Sequence, residues 1–243
     1  MPSAPPTMHH DGDHRARPSP LVAVERLVYE YPTARALDEV SFVIERGSIT
    51  ALVGPNGAGK TTLMRCLAAL QRPLSGAVEI DGYSTEEQPR EVHRSVGYLS
   101  DFYGLYDQLT VEQTLRYAAA RHGIEEDTAL SVAERVGLAE RLHVAADALS
   151  RGLRQRLAIA SAILHKPMLL ILDEPAAGLD PQARVDLSGL FMDLRAQGMT
   201  LIVSSHILSE LEDYATDVLM MSCLLYTSPS PRDATLSRMP SSA

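Results

Sequence analysis

The chain has 243 residues, 45% of them hydrophobic and 22% charged, with a formal net charge of -9 at pH 7. That length holds one large domain or two small ones with a sizeable core, and the acidic balance argues against a broad nucleic-acid surface. Two cysteines, Cys66 and Cys223, make no disulfide framework and fit a reducing, cytoplasmic setting; no apolar run reaches the ~18 residues of a membrane span, and no apolar leader opens the sequence.

Residues 1–20 are rich in Pro, Ser, His and charge and lack apolar periodicity, so a disordered arm is expected there. The His9-His10-Asp11-Gly12-Asp13-His14 run within it has metal-ligating side chains, yet nothing around it fixes a coordination geometry, and a flexible polar tail is the simpler reading. From Leu21 to Tyr31 and from Glu39 to Glu45 apolar and polar residues alternate, as in half-exposed antiparallel strands. Ile49 to Val53 reads as a buried strand, and Thr62 to Leu70 as a helix. Between them lies Gly54-Pro55-Asn56-Gly57-Ala58-Gly59-Lys60-Thr61-Thr62.

The residue types in that loop have a chemical logic. Glycine lets the backbone wrap a phosphate so that successive N–H groups point inward, and the following helix adds the positive end of its dipole. Lys60 reaches the terminal phosphates and the Thr61 hydroxyl meets a divalent metal. A bare Gly-rich turn is the bland alternative, disfavoured by Lys60-Thr61 in register between a strand and a helix. The expected ligand is a nucleoside triphosphate.

Further along, Pro73-Leu74-Ser75-Gly76 breaks the chain, Ala77 to Asp81 and Ser95 to Ser100 read as strands, and residues 102–166 as a helical insert, with Val111 to His122 and Asp127 to Val136 at helical spacing. Met168 to Leu172 is apolar throughout, as a parallel strand buried on both faces must be. Helix is expected over Pro181 to Gln197, strand over Thr200 to Ser204, helix over Ile207 to Tyr214 and strand over Asp217 to Met221. The fold class this implies is α/β: a mostly parallel core sheet, an antiparallel β subdomain in front and an inserted helical subdomain, together filling residues 21–222.

Asp173 and Glu174 end the apolar strand. Asp173 is placed to hold Mg²⁺ through water, and Glu174, turned the other way, to accept a proton from an attacking water. An acidic turn capping the next helix is the alternative.

With these residues assembled, most of residues 21–221 resembles the ATP-binding cassette (ABC) ATPases, within the phosphate-loop NTPases. Leu149-Ser150-Arg151-Gly152-Leu153-Arg154-Gln155-Arg156 looks like the family's signature, usually Leu-Ser-Gly-Gly-Gln. Ala177-Gly178-Leu179-Asp180 matches the D-loop, and His206 the switch histidine. Tyr31, twenty-three positions before Gly54, matches the aromatic that stacks on adenine, with Tyr29 the second choice. The resemblance implies ATP and Mg²⁺ as ligands, hydrolysis by Glu174 and His206, and a signature (Leu149, Ser150, Arg151, Gly152) that closes over ATP on an opposite cassette. It also implies a second cassette, identical or different, and a separate transmembrane permease docked around residues 101–109. The chain would then lie on the inner face of the cell membrane and power a transporter, an exporter by subclass. Two departures stand out. Asp101 takes the place of the usual glutamine after the Val96–Ser100 strand, with a shorter reach to Mg²⁺ or water and a full charge. Arg151 replaces a glycine in the signature.

Two other functions compete. A soluble cassette ATPase acting on ribosomes or DNA would carry two cassettes or a long coiled-coil insert. A kinase or GTPase would leave Leu149 to Arg156 without a purpose, and a GTPase would need a guanine motif that is absent. The tail 223–243 departs from the family. Pro229 and Pro231 cannot donate ladder hydrogen bonds, so no hairpin is expected across them, the last strand is expected to lack a neighbour, and the stretch reads as an aberrant, disordered tail.

Overall fold

The computed structural model describes residues 19–102, 104–221 and, as backbone, 225–228; nearly all of the expected arm therefore lies outside the described residues. Strands β1 (Val22–Tyr31) and β2 (Ala34–Ile44) form an antiparallel pair. After β3 (Ile49–Val53) and α1 (Lys60–Leu67) come β4 (Ser75–Ile80), β5 (Tyr83–Ser84), α2 (Pro89–Ser95) and β6 (Val96–Leu99). The helical stretch follows, with α3 (Val111–His122), α4 (Glu126–Arg135) and α5 (Arg151–Ile163). The chain then returns through β7 (Leu169–Leu172), α6 (Pro181–Ala196), β8 (Thr200–Ser205), β9 (Asp217–Met221) and β10 (Leu225–Ser228).

Two sheets result. One is antiparallel, in the order β2-β1-β4-β5; the other runs β10-β9-β3-β8-β7-β6, parallel except for β10. The central strands β3, β7 and β8 are buried at every position, which is why their sequences carry no alternation. Their two faces serve different layers. Ile49, Ala51, Leu170, Leu172, Leu201 and Val203 join α3 to α6 in one apolar cluster, while Leu52, Leu169, Ile171 and Ile202 join α1 and the antiparallel sheet in another. The period-two rule of strands thus survives inside runs that look uniformly apolar. The helical stretch shares the first cluster, from Leu115 and Val132 through Leu157 to Phe191, so the insert and the sheet are held by one continuous core.

Local signals set the helix ends. Thr110 and Gln113 form a capping box at α3, the Asp180 side chain accepts from Ala183 N–H at the start of α6 with Pro181 in its first turn, and Ser150 caps α5.

Three expectations need correction. Helix α2 was not anticipated, although Pro89 in its first turn is a start signal. The helix expected over Ile207 to Tyr214 is only a 3₁₀ turn, Leu208–Glu210, followed by further turns. Its buried anchors Leu211 and Tyr214 are three residues apart, and Tyr214 N–H bonds Leu211 O, a spacing that suits a threefold turn better than an α-helix. Finally, the tail expected to be disordered contributes β10: Leu225, Tyr226, Thr227 and Ser228 pair with Met221, Met220, Leu219 and Val218. A ladder needs only backbone N–H and C=O groups, and β10 ends at Ser228, just before Pro229 removes a donor. Strand β9 therefore has a neighbour on each side; the rest of the expected tail lies outside the described residues.

Candidate functional site

The loop 54–59 leaves the C-terminal end of β3 and enters α1, the crevice position where open parallel sheets take ligands. Its glycines are required by different neighbours. A Cβ on Gly54 would sit 2.3 Å from the Met221 carbonyl oxygen, and one on Gly59, at φ +92°, would sit 2.5 Å from Ala36 O. Lys60 starts α1 with only 6% of its surface exposed, and its Nζ donates to Gly54 O (2.7 Å) and Pro55 O (3.3 Å). The ammonium thus folds back over its own loop, 3.7 Å from Glu174 Oε1.

Strand β7 delivers the acids. Asp173 is 3% exposed, and its two oxygens accept from different hydroxyls, Thr61 Oγ1 at 2.7 Å and Ser204 Oγ at 2.8 Å. Glu174 follows at φ +46°, a left-handed conformation that costs a non-glycine residue about 1 kcal/mol. Its N–H donates to the same Ser204 Oγ at 2.9 Å, which helps to hold the turn. The turn sends the two neighbouring carboxylates apart: Asp173 faces α1, while Glu174 Oε2 lies 3.3 Å from His206 Nδ1 at the end of β8. The expected residues Lys60, Thr61, Asp173, Glu174 and His206 therefore form one connected cluster. Thr62, Asn56, Gly57 and Ala58 sit on the same loop and helix start. The Thr61 hydroxyl and the Asp173 carboxylate, two hard oxygen donors already facing each other beside the loop, fit the sparse protein coordination that Mg²⁺ accepts.

Ser204 was not anticipated. The available signal was its position, a polar residue at the end of an otherwise apolar strand directly before Ser205 and His206, where burial demands a hydrogen-bond partner.

Other expected residues lie at the edges of this cluster. The Tyr31 hydroxyl is 3.3 Å from Thr62 Oγ1 and accepts from Gln71 Nε2 at 3.4 Å, contacts that, with Thr62 first, hold its phenol below the ordinary value. Its ring meets Tyr29 edge-on at 5.0 Å, and Tyr29 packs against the core. Asp101 is exposed; among the described residues no hydrogen bond or ion pair joins it to Thr61 or Asp173, and its charge is felt at Tyr98 and Arg65.

The signature forms a second cluster. Leu149 is buried, and Ser150 Oγ accepts from Leu153 N–H at 3.4 Å. A Cβ on Gly152 would come 3.0 Å from Ala183 Cβ, so this glycine sets how closely α5 approaches α6. Arg151 lays its guanidinium against Gly178, where a Cβ would meet its Nη1 at 2.5 Å, and Asp180 caps α6 beside them. No hydrogen bond or ion pair among the described residues links this cluster to loop 54–62.

Comparison with known proteins points to one family. The family described as "ABC transporter" matches residues 37–177. The chain is 33% identical to "ABC transporter ATP-binding protein NatA" of Bacillus subtilis over 77% of its own length and 78% of that protein's. It is 35% identical to "Lantibiotic transport ATP-binding protein SrtF" of Streptococcus pyogenes, over 80% and 84% of the two chains, and 37% identical to "Bacitracin transport ATP-binding protein BcrA" of Bacillus licheniformis, over 82% and 66%. Among solved structures, an ATP-binding subunit of an ABC transporter superposes with a TM-score of 0.74 at 32% identity, covering 85% of this chain and 90% of that one. A nucleotide-free cassette at 21% identity shares the fold, with a TM-score of 0.82 over 89% and 94% of the chains. The chain belongs to the ABC transporter family, as an ATP-binding subunit that is an ATPase.

Proposed function

We propose that loop 54–62 holds the phosphates of ATP, that Thr61 and Asp173 hold Mg²⁺, and that Glu174 and His206 carry out hydrolysis. The observation that supports this most directly is the left-handed turn at Glu174, which sends two adjacent carboxylates to different partners. Asp173 meets Thr61 on α1, and Glu174 meets His206 on β8. Bound Mg²⁺ supplies charge neutralisation at the transferring phosphoryl group. Lys60 exchanges its loop carbonyls for phosphate oxygens, a charge-assisted contact in place of a neutral one. Glu174 takes the proton of the attacking water, and His206 orients that carboxylate through Nδ1. Tyr31 lies beside the start of α1, ready to stack on the base; Asp101 would act on metal or water only after a movement of the segment it starts.

A chain with the signature and the phosphate loop in separate clusters needs a second chain to bring them together. ATP then joins two cassettes, identical or different, with Ser150, Arg151 and Gly152 of each facing the nucleotide of the other. Hydrolysis removes the shared phosphate and opens the pair, a ligand-driven two-state switch. The partner in the membrane is a permease seated on 101–109, beside a cavity of about 420 Å³ and the exposed rings of Phe102 and Tyr106. No helix among the described residues is long and apolar enough to cross a membrane, which fits a subunit on the inner face of the cell membrane. The lantibiotic and bacitracin transport proteins among the relatives support export as the direction. Residues 21–222 form the cassette in this reading, with 102–166 as its helical subdomain.

The test is a pair of substitutions. Lys60→Ala should lose ATP binding, whereas Glu174→Gln should bind ATP, stop turnover and elute as an ATP-dependent dimer in size-exclusion chromatography with Mg²⁺. Wild-type hydrolysis by Glu174→Gln would overturn the assignment of the base.

A further inference from the structure

The turn that carries His206 is held by a carboxylate from its own far end. Glu210 closes the 3₁₀ turn with its side chain 12% exposed. Its Oε2 accepts from Ser205 Oγ at 2.8 Å, and Ser205 Oγ itself accepts from Ile207 N–H at 3.0 Å. The residues on both sides of His206 are thus fastened through one hydroxyl. The other oxygen, Oε1, lies 3.1 Å from Arg184 Nη1. Arg184 stands one turn into α6, where its N–H donates to Asp180 O at 3.1 Å.

We propose that Glu210 is a positioning residue that, through Ser205 and Arg184, couples the His206 turn to the Asp180 end of α6 and so sets the contact between His206 Nδ1 and Glu174. The physical need is clear from the fold. His206 follows the last residue of β8, where a 3₁₀ turn in place of a helix leaves few backbone bonds to fix its direction. A hydrolytic group displaced by ~1 Å loses on the order of a hundredfold in rate. A largely buried carboxylate with one hydroxyl donor and one guanidinium donor is a strong, directional anchor. It also reaches the helix whose cap, Asp180, lies beside the signature, so a shift at one cluster is passed to the other through a single side chain.

This inference rests on reading Glu174 and His206 as the hydrolytic pair. Glu210→Gln loses the charge and exchanges one acceptor oxygen for an NH₂ donor, so it cannot accept from both Ser205 and Arg184. ATPase kinetics should show kcat falling about tenfold or more with KM for ATP and nucleotide affinity within about twofold. Arg184→Gln should match it, Arg184→Lys should recover part of the loss, and the double substitution should be no worse than either alone. A second readout is independent of turnover. In nucleotide-free protein the ¹⁵N resonances of the His206 ring, identified by their absence in His206→Gln, should shift in Glu210→Gln with little change in melting temperature. Full kcat in Glu210→Gln, or an unmoved His206 signal, overturns the inference. With Glu174→Gln inactive, that result removes the Glu210 role alone. Wild-type turnover in Glu174→Gln removes both the hydrolytic pair and the role built on it.

Discussion

Ser204 illustrates how much one hydroxyl organises at this site. It donates to Asp173 Oδ1 and accepts from the Glu174 N–H, so it spans the two neighbouring acids that turn to opposite sides. Ser204→Ala should leave Asp173 Oδ1 and the Glu174 N–H without this partner, while Asp173 Oδ2 keeps Thr61, and lower stability by about 1–3 kcal/mol. Calorimetry measures this loss, and turnover should fall with it because the strained Glu174 turn loses a bond. Gly54→Ala acts through sterics alone: the added methyl meets the Met221 carbonyl at 2.3 Å, and the backbone shift should cost about 1–3 kcal/mol and weaken ATP binding. The phosphate loop and the two acids were legible in the sequence because their chemistry demands particular residue types at fixed spacing. Ser204, Ser205 and Glu210 were not, because a serine or glutamate acquires its role only from what the fold sets beside it.

Helices α3 and α5 meet through two histidines. His122, in the last turn of α3, stacks on His165 just beyond α5, with ring centroids 4.3 Å apart and planes 3° from parallel. The His165 Nε2 lies 3.1 Å from Val96 O, and since a carbonyl only accepts, that nitrogen carries the proton. Burial first, then the charge of His122, pushes the His165 imidazole below its ordinary value, against the opposing effect of the Val96 bond; burial and Arg121 do the same to His122. Below about pH 6.5 the unfolded chain therefore binds more protons at these sites than the folded one, so stability is complete above that value and is lost as pH falls through it. Melting temperature should drop between pH 7.5 and 5.5, and His165→Gln, which keeps an N–H for Val96, should flatten the curve. The helices themselves were readable from apolar spacing and caps. The segment after β8 departs from the expected helix because Leu208, Leu211 and Tyr214 satisfy a threefold and a 3.6-fold repeat almost equally over so short a span; its hydrogen bonds run from Glu210 to Ile207, Leu211 to Leu208 and Tyr214 to Leu211, and the α-type bond from Ala215 to Leu211 comes only at its end.

At the scale of the whole molecule, the mostly parallel sheet and the separate antiparallel one were evident from the pattern of strands and helices, whereas the two apolar layers on the faces of the parallel sheet emerge only from the packing. Strand β10 was not legible because Pro229 and Pro231 mark the tail as unfit for a ladder, yet they remove donors only from their own positions and leave those of Leu225 to Ser228 free to pair. A chain ending at Met221 should melt about 2–4 °C below one ending at Ser228, the shift expected for about 1 kcal/mol in a domain of this size. Equal melting temperatures would mean that β10 adds nothing. Assembly carries a separate prediction. Subunits bearing Ser150→Arg and subunits bearing Lys60→Ala, each inactive alone, should regain one working site when mixed, and demonstrably mixed dimers without ATPase activity would count against a shared site.

Met221 has a further use. Its carbonyl stands against Gly54, and its Cε lies 3.3 Å from where a Gly59 Cβ would be, so this one residue touches both glycine ends of the phosphate loop. Any rearrangement of the loop alters the magnetic surroundings of that methyl. Protein labelled with ¹³C at methionine methyls therefore contains its own gauge of nucleotide occupancy. A single resonance, assigned by Met221→Leu, should move on addition of ATP and return on its removal, with no dye or tag attached.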